Sequence, residues 1–311
     1  MMKLSGLTIF SLLLIAVKGF AVNHPVKPIG NKAPLVSLSP LADSVKKASD
    51  DDTADDEEDN VRTYAFGLEF GSDQTSHGLH SGKKLPYISP SFTYSAPKGF
   101  YISISDQFIL SKDSGGFDAF ALNPGWNIDI ADNTTLNFNL THYWFKANTP
   151  LSIKADLSDV VETYIDHWFG ETEARFTIDG NYYKKSDSIN ASGDIILTPD
   201  IAHTFEFDIS KKSSLSLIPE GSMDFGTTNE YSRYLSKSKD TAYIQSYKRA
   251  RRNNKSSFAV LDLNLIFTVN YKVGNFEFQP AFNFNVPIYK VPGIPDKPLA
   301  YGTINLIYTI E

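Results

Sequence analysis

Hydrophobic and polar residues alternate with a period of two through most of the chain, from Arg62 to its last residue. Near the end, one parity is hydrophobic and contains Phe276, Phe278, Phe282, Phe284, Val286 and Ile288. The other parity is polar and contains Glu277, Gln279, Asn283 and Asn285. Because successive side chains of a strand point to opposite faces, each such segment has one apolar and one polar face. No stretch of this region has a convincing helical period, so the pattern predicts an all-β fold.

The alternating segments predict about twelve strands. They lie near residues 62–72, 86–96, 99–110, 117–130, 135–147, 158–169, 173–184, 193–209, 214–226, 257–271, 275–289 and 299–310. Short polar turns, such as those at 132–134 and 170–172, alternate with longer connections. An even number of strands with short turns at one end and long loops at the other is typical of a transmembrane β-barrel. In this arrangement both ends of the strand region lie on the short-turn, periplasmic side.

The main alternative is a secreted β-sandwich, whose strands also alternate but turn their polar face to water. The predicted strands are about twice as long as the usual soluble strand of about 5–6 residues. Their apolar face is rich in Phe, Tyr and Trp, and the opposite face is mostly Asn, Ser, Thr, Asp and Glu rather than Lys. These features suit lipid on one side and a lumen on the other. We therefore expect an antiparallel transmembrane β-barrel over residues 62–311.

Two segments precede the predicted barrel. Residues 1–21 contain Lys3, an apolar run from Leu7 to Val17 and small residues at Gly19 and Ala21, which indicate a signal peptide and export. Residues 22–61 contain four prolines and a run, 50–59, in which eight of ten residues are acidic. These like charges repel one another and offer nothing to bury, so we expect a disordered acidic periplasmic segment.

The composition excludes several kinds of function. The chain has no cysteine, so it has no Cys-ligated zinc site, iron–sulfur cluster or thiol nucleophile. Its formal net charge of -7 is unlike that of a general nucleic-acid binder, which is normally basic. His77 and His80 have a spacing that metal ligands can have, but two ligands do not make a site. We expect no nucleic-acid partner, no cofactor and no metal.

Five prolines lie inside predicted strands, namely Pro90, Pro124, Pro199, Pro219 and Pro280. Proline cannot donate a ladder hydrogen bond, and a closed barrel has no free edge on which to place it. Shorter strands would avoid the conflict. We favour the other interpretation, a β-bulge at each proline.

The polar parity carries the candidate lumen lining. Twelve of its residues are acidic: Glu69, Asp129, Glu162, Asp166, Asp179, Asp200, Glu206, Asp208, Glu220, Asp224, Asp262 and Glu277. On the same parity Arg175 is the one clear base. The acids could simply hydrate a polar interior. Because like-charged walls focus the electrostatic potential, the imbalance instead predicts a preference for cations over anions, or bound divalent ions.

The longest connection, residues 227–256, has the opposite charge. Its basic cluster consists of Lys248, Arg249, Arg251, Arg252 and Lys255. One interpretation is that the loop stays outside and binds lipopolysaccharide phosphates, as Arg clusters can. Another is that it folds inward against the acidic wall and narrows the pore. A mobile solvated loop is the third.

The chain resembles bacterial outer-membrane barrels of the porin-like or conserved uncharacterised kind. The resemblance rests on the segments 70–73, 90–94 and 99–101, on Gly78, and on the signal peptide, the two-residue repeat and the hairpin spacing. It implies a location in the outer membrane of a Gram-negative bacterium, in contact with outer-membrane lipids, lipopolysaccharide and small solutes. The chain departs from the pattern at Glu311, where such barrels often end in an aromatic residue. Oligomeric state is left open.

Three functions fit such a barrel. The first is a channel that passes or binds small solutes and prefers cations. The second is a structural or surface-interaction barrel plugged by the basic loop 227–256. The third is a lipid hydrolase, because some twelve-stranded barrels are outer-membrane phospholipases with a local His-x-Ser-Asn-Gly motif. His142, His167 and His203 lack that motif. We expect a channel, with no catalytic residues.

Overall fold

The structure, a computed structural model, describes residues 61–79, 84–111, 115–146, 157–183, 193–229, 258–290 and 296–311. The predicted signal peptide and nearly all of the acidic segment lie outside these ranges, as does the basic cluster of the longest loop. In chain order the strands are β1 (Thr63–Gly71), β2 (Tyr87–Ser95), β3 (Phe100–Ile109), β4 (Gly116–Ala131), β5 (Thr134–Phe145), β6 (Leu157–Phe169), β7 (Thr172–Tyr183), β8 (Gly193–His203), β9 (Phe205–Ser210), β10 (Ser213–Thr227), β11 (Phe258–Val273), β12 (Phe276–Pro287) and β13 (Leu299–Ile310).

The strands form one closed antiparallel sheet. Apart from β8 and β9, which do not pair with each other, each strand pairs with its neighbours in chain order, and the pairing of β1 with β13 closes the ring. Strands β8 and β9 both pair with β10 in the same register, so they are two parts of one wall strand. The wall therefore has twelve strands, which confirms the predicted antiparallel barrel. Among the described residues no helix is long and apolar enough to cross a membrane.

The outer face of the barrel is apolar. Large side chains exposed on this face include Phe66, Phe70, Trp126, Phe138, Trp144, Phe176, Phe207, Phe267, Phe282 and Tyr308. Neighbouring rings contact one another across strands, as Phe66 does with Phe92 at 5.1 Å between centroids. Exposure of this apolar surface to water would be unfavourable by a free energy of about 25 cal/mol for each Å². A continuous apolar wall with no sheet edge is the form in which strands cross a bilayer.

The expectation of a bulge at each proline is wrong. Around Pro90, for example, Ile88 pairs with Phe108 and Ser91 with Ser105, so the register of β2 and β3 does not change. The register shifts of the wall fall elsewhere, near Phe108, Ala131, Asp159, Ser214 and Phe225. A proline therefore interrupts the ladder to one neighbour and leaves the strand in register, because only its own N–H is missing.

Pro219 explains why the predicted strand 193–209 is divided. The β8–β10 and β9–β10 registers place Pro219 opposite His203, immediately before the break at Thr204. Pro219 offers no N–H to that partner, so the ladder is interrupted there. The backbone N–H of Thr204, on the β7 side, donates to the carbonyl of Glu171 at 2.9 Å. Beyond this point β9 pairs with β10, and their hairpin continues past the β6–β7 turn.

Candidate functional site in the barrel lumen

The inner face of the barrel is polar, because the side chains that alternate with the apolar row point into the lumen. All twelve acids of the predicted lining lie on this inward parity. Glu162, Asp166, Asp224, Asp262 and Glu277 are buried. Glu69, Asp179, Asp200, Glu206 and Glu220 are partly buried, whereas Asp129 and Asp208 are exposed near the turns.

Sequence reasoning missed several inward charges. Asp194 and Glu173 are buried and simply continue the alternation of β8 and β7, so the pattern could have revealed them. Asp118 is also buried, beside a register shift that moves it to the inner face and that no sequence signal marks. Lys272 is a second inward base, on the parity of Asn270, and it forms an ion pair with Glu277 at 3.3 Å.

Arg175 is the centre of a buried ion-pair network near the turn end of the lumen. Its guanidinium donates from Nε and Nη2 to the two oxygens of Asp166, with Nη2 at 2.7 Å from Oδ2. Nη2 also lies 2.8 Å from Oε1 of Glu173. The guanidinium lies over the ring of Tyr164, 4.2 Å from its centroid, and Asp200 is its cross-strand partner on β8. Both inward strand bases, Arg175 and Lys272, thus neutralise acids at the turn end.

Two pairs of acids face each other directly on neighbouring strands nearer the loop end. Glu162 on β6 is opposite Asp179 on β7, and Asp224 on β10 is opposite Asp262 on β11. The two carboxyls of each pair are close enough to interact electrostatically. Like charges in directly opposite positions destabilise a sheet, so these pairs call for a shared proton or a nearby cation.

Neutral side chains hold these carboxyls in place. The amide of Asn285 donates to Asp262 at 2.6 Å, and the hydroxyl of Thr198 donates to Asp224 at 2.7 Å. The amide of Asn139 donates to Glu162 at 2.8 Å. The amide donors come from polar positions of the same alternation, so the wall itself orients the acids.

The first long connection folds into the lumen. Its described residues, 72–79, are here called the inward loop, and most of them are buried. Ser76 and Leu79 close a tight turn through two backbone hydrogen bonds of 2.9 and 2.7 Å. The turn needs positive φ at His77 (46°) and Gly78 (80°). On one side of the inward loop, Gln107 of β3 donates to Gln74 at 3.2 Å, which ties it to the wall.

The tip of the inward loop reaches a distant part of the wall. Nδ1 of His77 lies 3.0 Å from Oδ2 of Asp224, although β11, β12 and β13 separate β10 from β1. His77 is also close enough to Asp179 and Asp262 to interact with both carboxyls. Its suggested partner for a metal, His80, lies outside the described residues. Within those residues no group of three or more potential ligands could hold a metal ion.

Two tyrosines lie flat against glycines of the wall. A Cβ added to Gly125 would be 2.2 Å from the ring of Tyr101, and one added to Gly71 would be 2.1 Å from the ring of Tyr87. The hydroxyl of Tyr101 accepts a hydrogen bond from Asn137 at 3.1 Å. Because the glycines lack a side chain, these large rings rest on the wall rather than project across the lumen.

The three histidines of the hydrolase hypothesis lie on the outer face. Nδ1 of His142 is 2.6 Å from Asp159, near the loop end of the wall. Ser158 does not extend this pair into a triad, because its hydroxyl donates to the carbonyl of Tyr182 at 3.1 Å. His167 and His203 contact Thr134 and Thr172, each at 2.8 Å. Each of the three rings also meets an aromatic ring edge-on, as side chains at a membrane interface do.

Solved structures with a similar fold are outer-membrane barrels. The NanC porin matches with 10% sequence identity and a TM-score of 0.44, over 78% of this chain and 98% of that one. The KdgM porin matches with 8% identity and a TM-score of 0.43, over 80% of this chain and 99% of that one. An outer membrane channel from Pseudomonas putida F1 matches with 9% identity and a TM-score of 0.44, over 83% and 100% of the two chains.

No protein-family model and no curated protein matches the chain.

Proposed function

We propose that the protein is a channel of the Gram-negative outer membrane that passes small solutes and prefers cations. The observation that carries this proposal is the charge of the inner face. Twelve acids of the predicted lining lie on the inward parity, and among the described strands only Arg175 and Lys272 are inward bases. Both bases are engaged with acids at the turn end.

The two carboxyl pairs nearer the loop end are the source of the preference. Glu162 with Asp179, and Asp224 with Asp262, have no basic strand residue opposite them. A monovalent cation about 5 Å from one carboxylate gains about 1–3 kcal/mol, for an effective dielectric constant between that of water and that of a protein surface. Anions meet a barrier of the same size, so the wall selects by charge.

A plugged barrel that acts through its surface loops is the second candidate. The inward loop favours it, because these residues occupy part of the lumen. In this version the plug is the inward loop, 72–79. The basic loop 227–256, first considered for that role, lies largely outside the described residues. Binding of its cluster to lipopolysaccharide phosphates stays a prediction from sequence.

Reconstitution in planar bilayers separates the two candidates. In asymmetric KCl, we expect conductance steps and a reversal potential with the sign of a channel that is more permeable to K⁺ than to Cl⁻. The double variant Asp224→Asn/Asp262→Asn should move the reversal potential toward zero, because it removes one carboxyl pair. The control is Asp159→Asn, which removes a carboxyl from the outer face and should leave selectivity unchanged. Absence of steps would favour the plugged barrel, and anion preference would contradict the channel proposal in its cation-selective form.

A further inference from the structure

We propose that the inward loop is an internal latch, in which the imidazole of His77 takes the position of a cation at the Asp224–Asp262 carboxyl pair. This inference rests on the channel proposal and deepens it, because it assigns regulation to the same lumen. When His77 is seated, the loop narrows the passage and cancels part of the negative charge that attracts cations. When His77 leaves, both the space and the charge become available to a solute.

The shape of the inward loop accounts for the position of His77. The bridge between Ser76 and Leu79 leaves His77 and Gly78 at the tip of a tight turn. The turn is anchored by buried contacts on both sides. Leu79 is fully buried, and Oδ1 of Asp73 accepts the backbone N–H groups of Gln74 and Leu85 at 3.0 and 3.2 Å. The shape of the turn is therefore held by contacts other than the one between His77 and Asp224.

Carboxyls face His77 from three wall strands. Asp224 of β10 is the direct partner at 3.0 Å, and Asp262 of β11 and Asp179 of β7 interact electrostatically with the imidazole. The neighbour on β8 is Thr198, a neutral donor to Asp224. On the side of the loop itself, Asp73 is engaged with backbone N–H groups and Glu69 accepts from the hydroxyl of Tyr87. A proton on the imidazole adds attraction to every one of these carboxyls.

The direction of the effect follows from these charges. Histidine gains its charge when the pH falls through the range near 6–7, so acidification strengthens the latch while the carboxylates remain ionised. At higher pH the neutral imidazole keeps one hydrogen bond to Asp224 but loses the charge attraction. The latch thus predicts a passage that narrows on mild acidification. It also predicts that an external cation competes with His77 for the same two carboxyls.

The test compares conductance at about pH 8 and about pH 5.5 in the full-length protein. In the wild type we expect a decrease of about twofold or more on acidification, since both space and charge change. In His77→Asn the conductance at the lower pH should be higher, and most of the decrease should be lost. His142→Asn is the matched control, because it removes a histidine from the outer face and should keep the wild-type response. The same decrease in His77→Asn as in the wild type would overturn the latch.

A second measurement keeps the latch separate from channel activity. Imidazole ¹⁵N NMR of the protein in detergent micelles reports the protonation of each histidine, and the His77 signal is identified by its loss in His77→Asn. In Asp224→Asn the His77 signal should shift while that of His142 stays in place. If the wild type conducts no ions at either pH, the channel proposal fails. If the His77 signal is unaffected by Asp224→Asn, the latch fails whatever the conductance.

Discussion

Removal of the Arg175 side chain should be among the most damaging single changes in the barrel. Arg175 is 5% exposed, and the acids that it binds, Asp166 and Glu173, are 4% and 5% exposed. The substitution Arg175→Met keeps the length of the side chain but leaves two carboxylates buried without their cation. Breaking a buried ion pair in this way costs about 3–5 kcal/mol. Each charge-assisted hydrogen bond alone would account for about 1.5–3 kcal/mol. The expected total loss is smaller than the sum of these bonds, because the barrel relaxes around the substituted side chain.

The assay is equilibrium unfolding in urea of the barrel inserted in lipid vesicles, followed by tryptophan fluorescence. Arg175→Met should lower the free energy of unfolding by about 3–5 kcal/mol. The double variant Asp166→Asn/Arg175→Met should recover part of that loss, because one of the orphaned charges is gone. Asp166→Asn alone completes the cycle and measures the coupling between the two residues. A loss of less than about 1 kcal/mol would refute the reasoning, since it would mean that water solvates these groups as it does surface pairs.

Three further predictions concern the wall. Gly125→Ala should destabilise the barrel by about 1–3 kcal/mol in the same unfolding assay, because the added methyl group would overlap the ring of Tyr101. The control is Gly221→Ala, which should cost much less, because its added methyl group meets only Leu265 at 3.6 Å. Gly116→Ala is not a suitable control, because the φ of Gly116 is positive. Pro219→Val should stabilise the barrel by about 0.5–1.5 kcal/mol by supplying the N–H missing opposite His203, and increased exchange protection at β8 and β9 is the check. Lys272→Gln should increase cation selectivity slightly, because it removes the positive charge that is paired with Glu277, and an unchanged reversal potential would contradict this.

The twelve-stranded wall could be predicted because a two-residue repeat reports which face of each strand meets lipid. Phe276 and Phe282 are exposed on the outside, and Glu277 and Asn283 are buried inside, as the alternation requires. The consequences of the prolines could not be predicted, since the sequence does not say whether a strand shifts register or simply loses one hydrogen bond. Asp118 was missed for a related reason, because a register shift moves it inward.

The inward loop also had no sequence signal. Residues 72–79 are polar and rich in turn formers, which is typical of an exposed loop, and the sequence drew attention to His77 only as half of a metal-like pair. Its contact with Asp224 joins residues 147 positions apart, one in the loop that follows β1 and the other on β10, which is not a neighbour of β1. Only the closure of the barrel brings them together, so the latch is a property of the tertiary structure.

The most direct test of the account is a scan of nitroxide labels along β12, which the absence of native cysteines makes simple. Labels at alternate positions should report opposite surroundings in lipid vesicles. At Phe276, Phe278, Phe282 and Phe284 we expect high accessibility to oxygen, which concentrates in lipid, and at Glu277, Gln279, Asn283 and Asn285 low accessibility to oxygen. A period of two with these phases supports a lipid-facing apolar row around a polar lumen. Low oxygen accessibility at the phenylalanine positions, or no period at all, would contradict it.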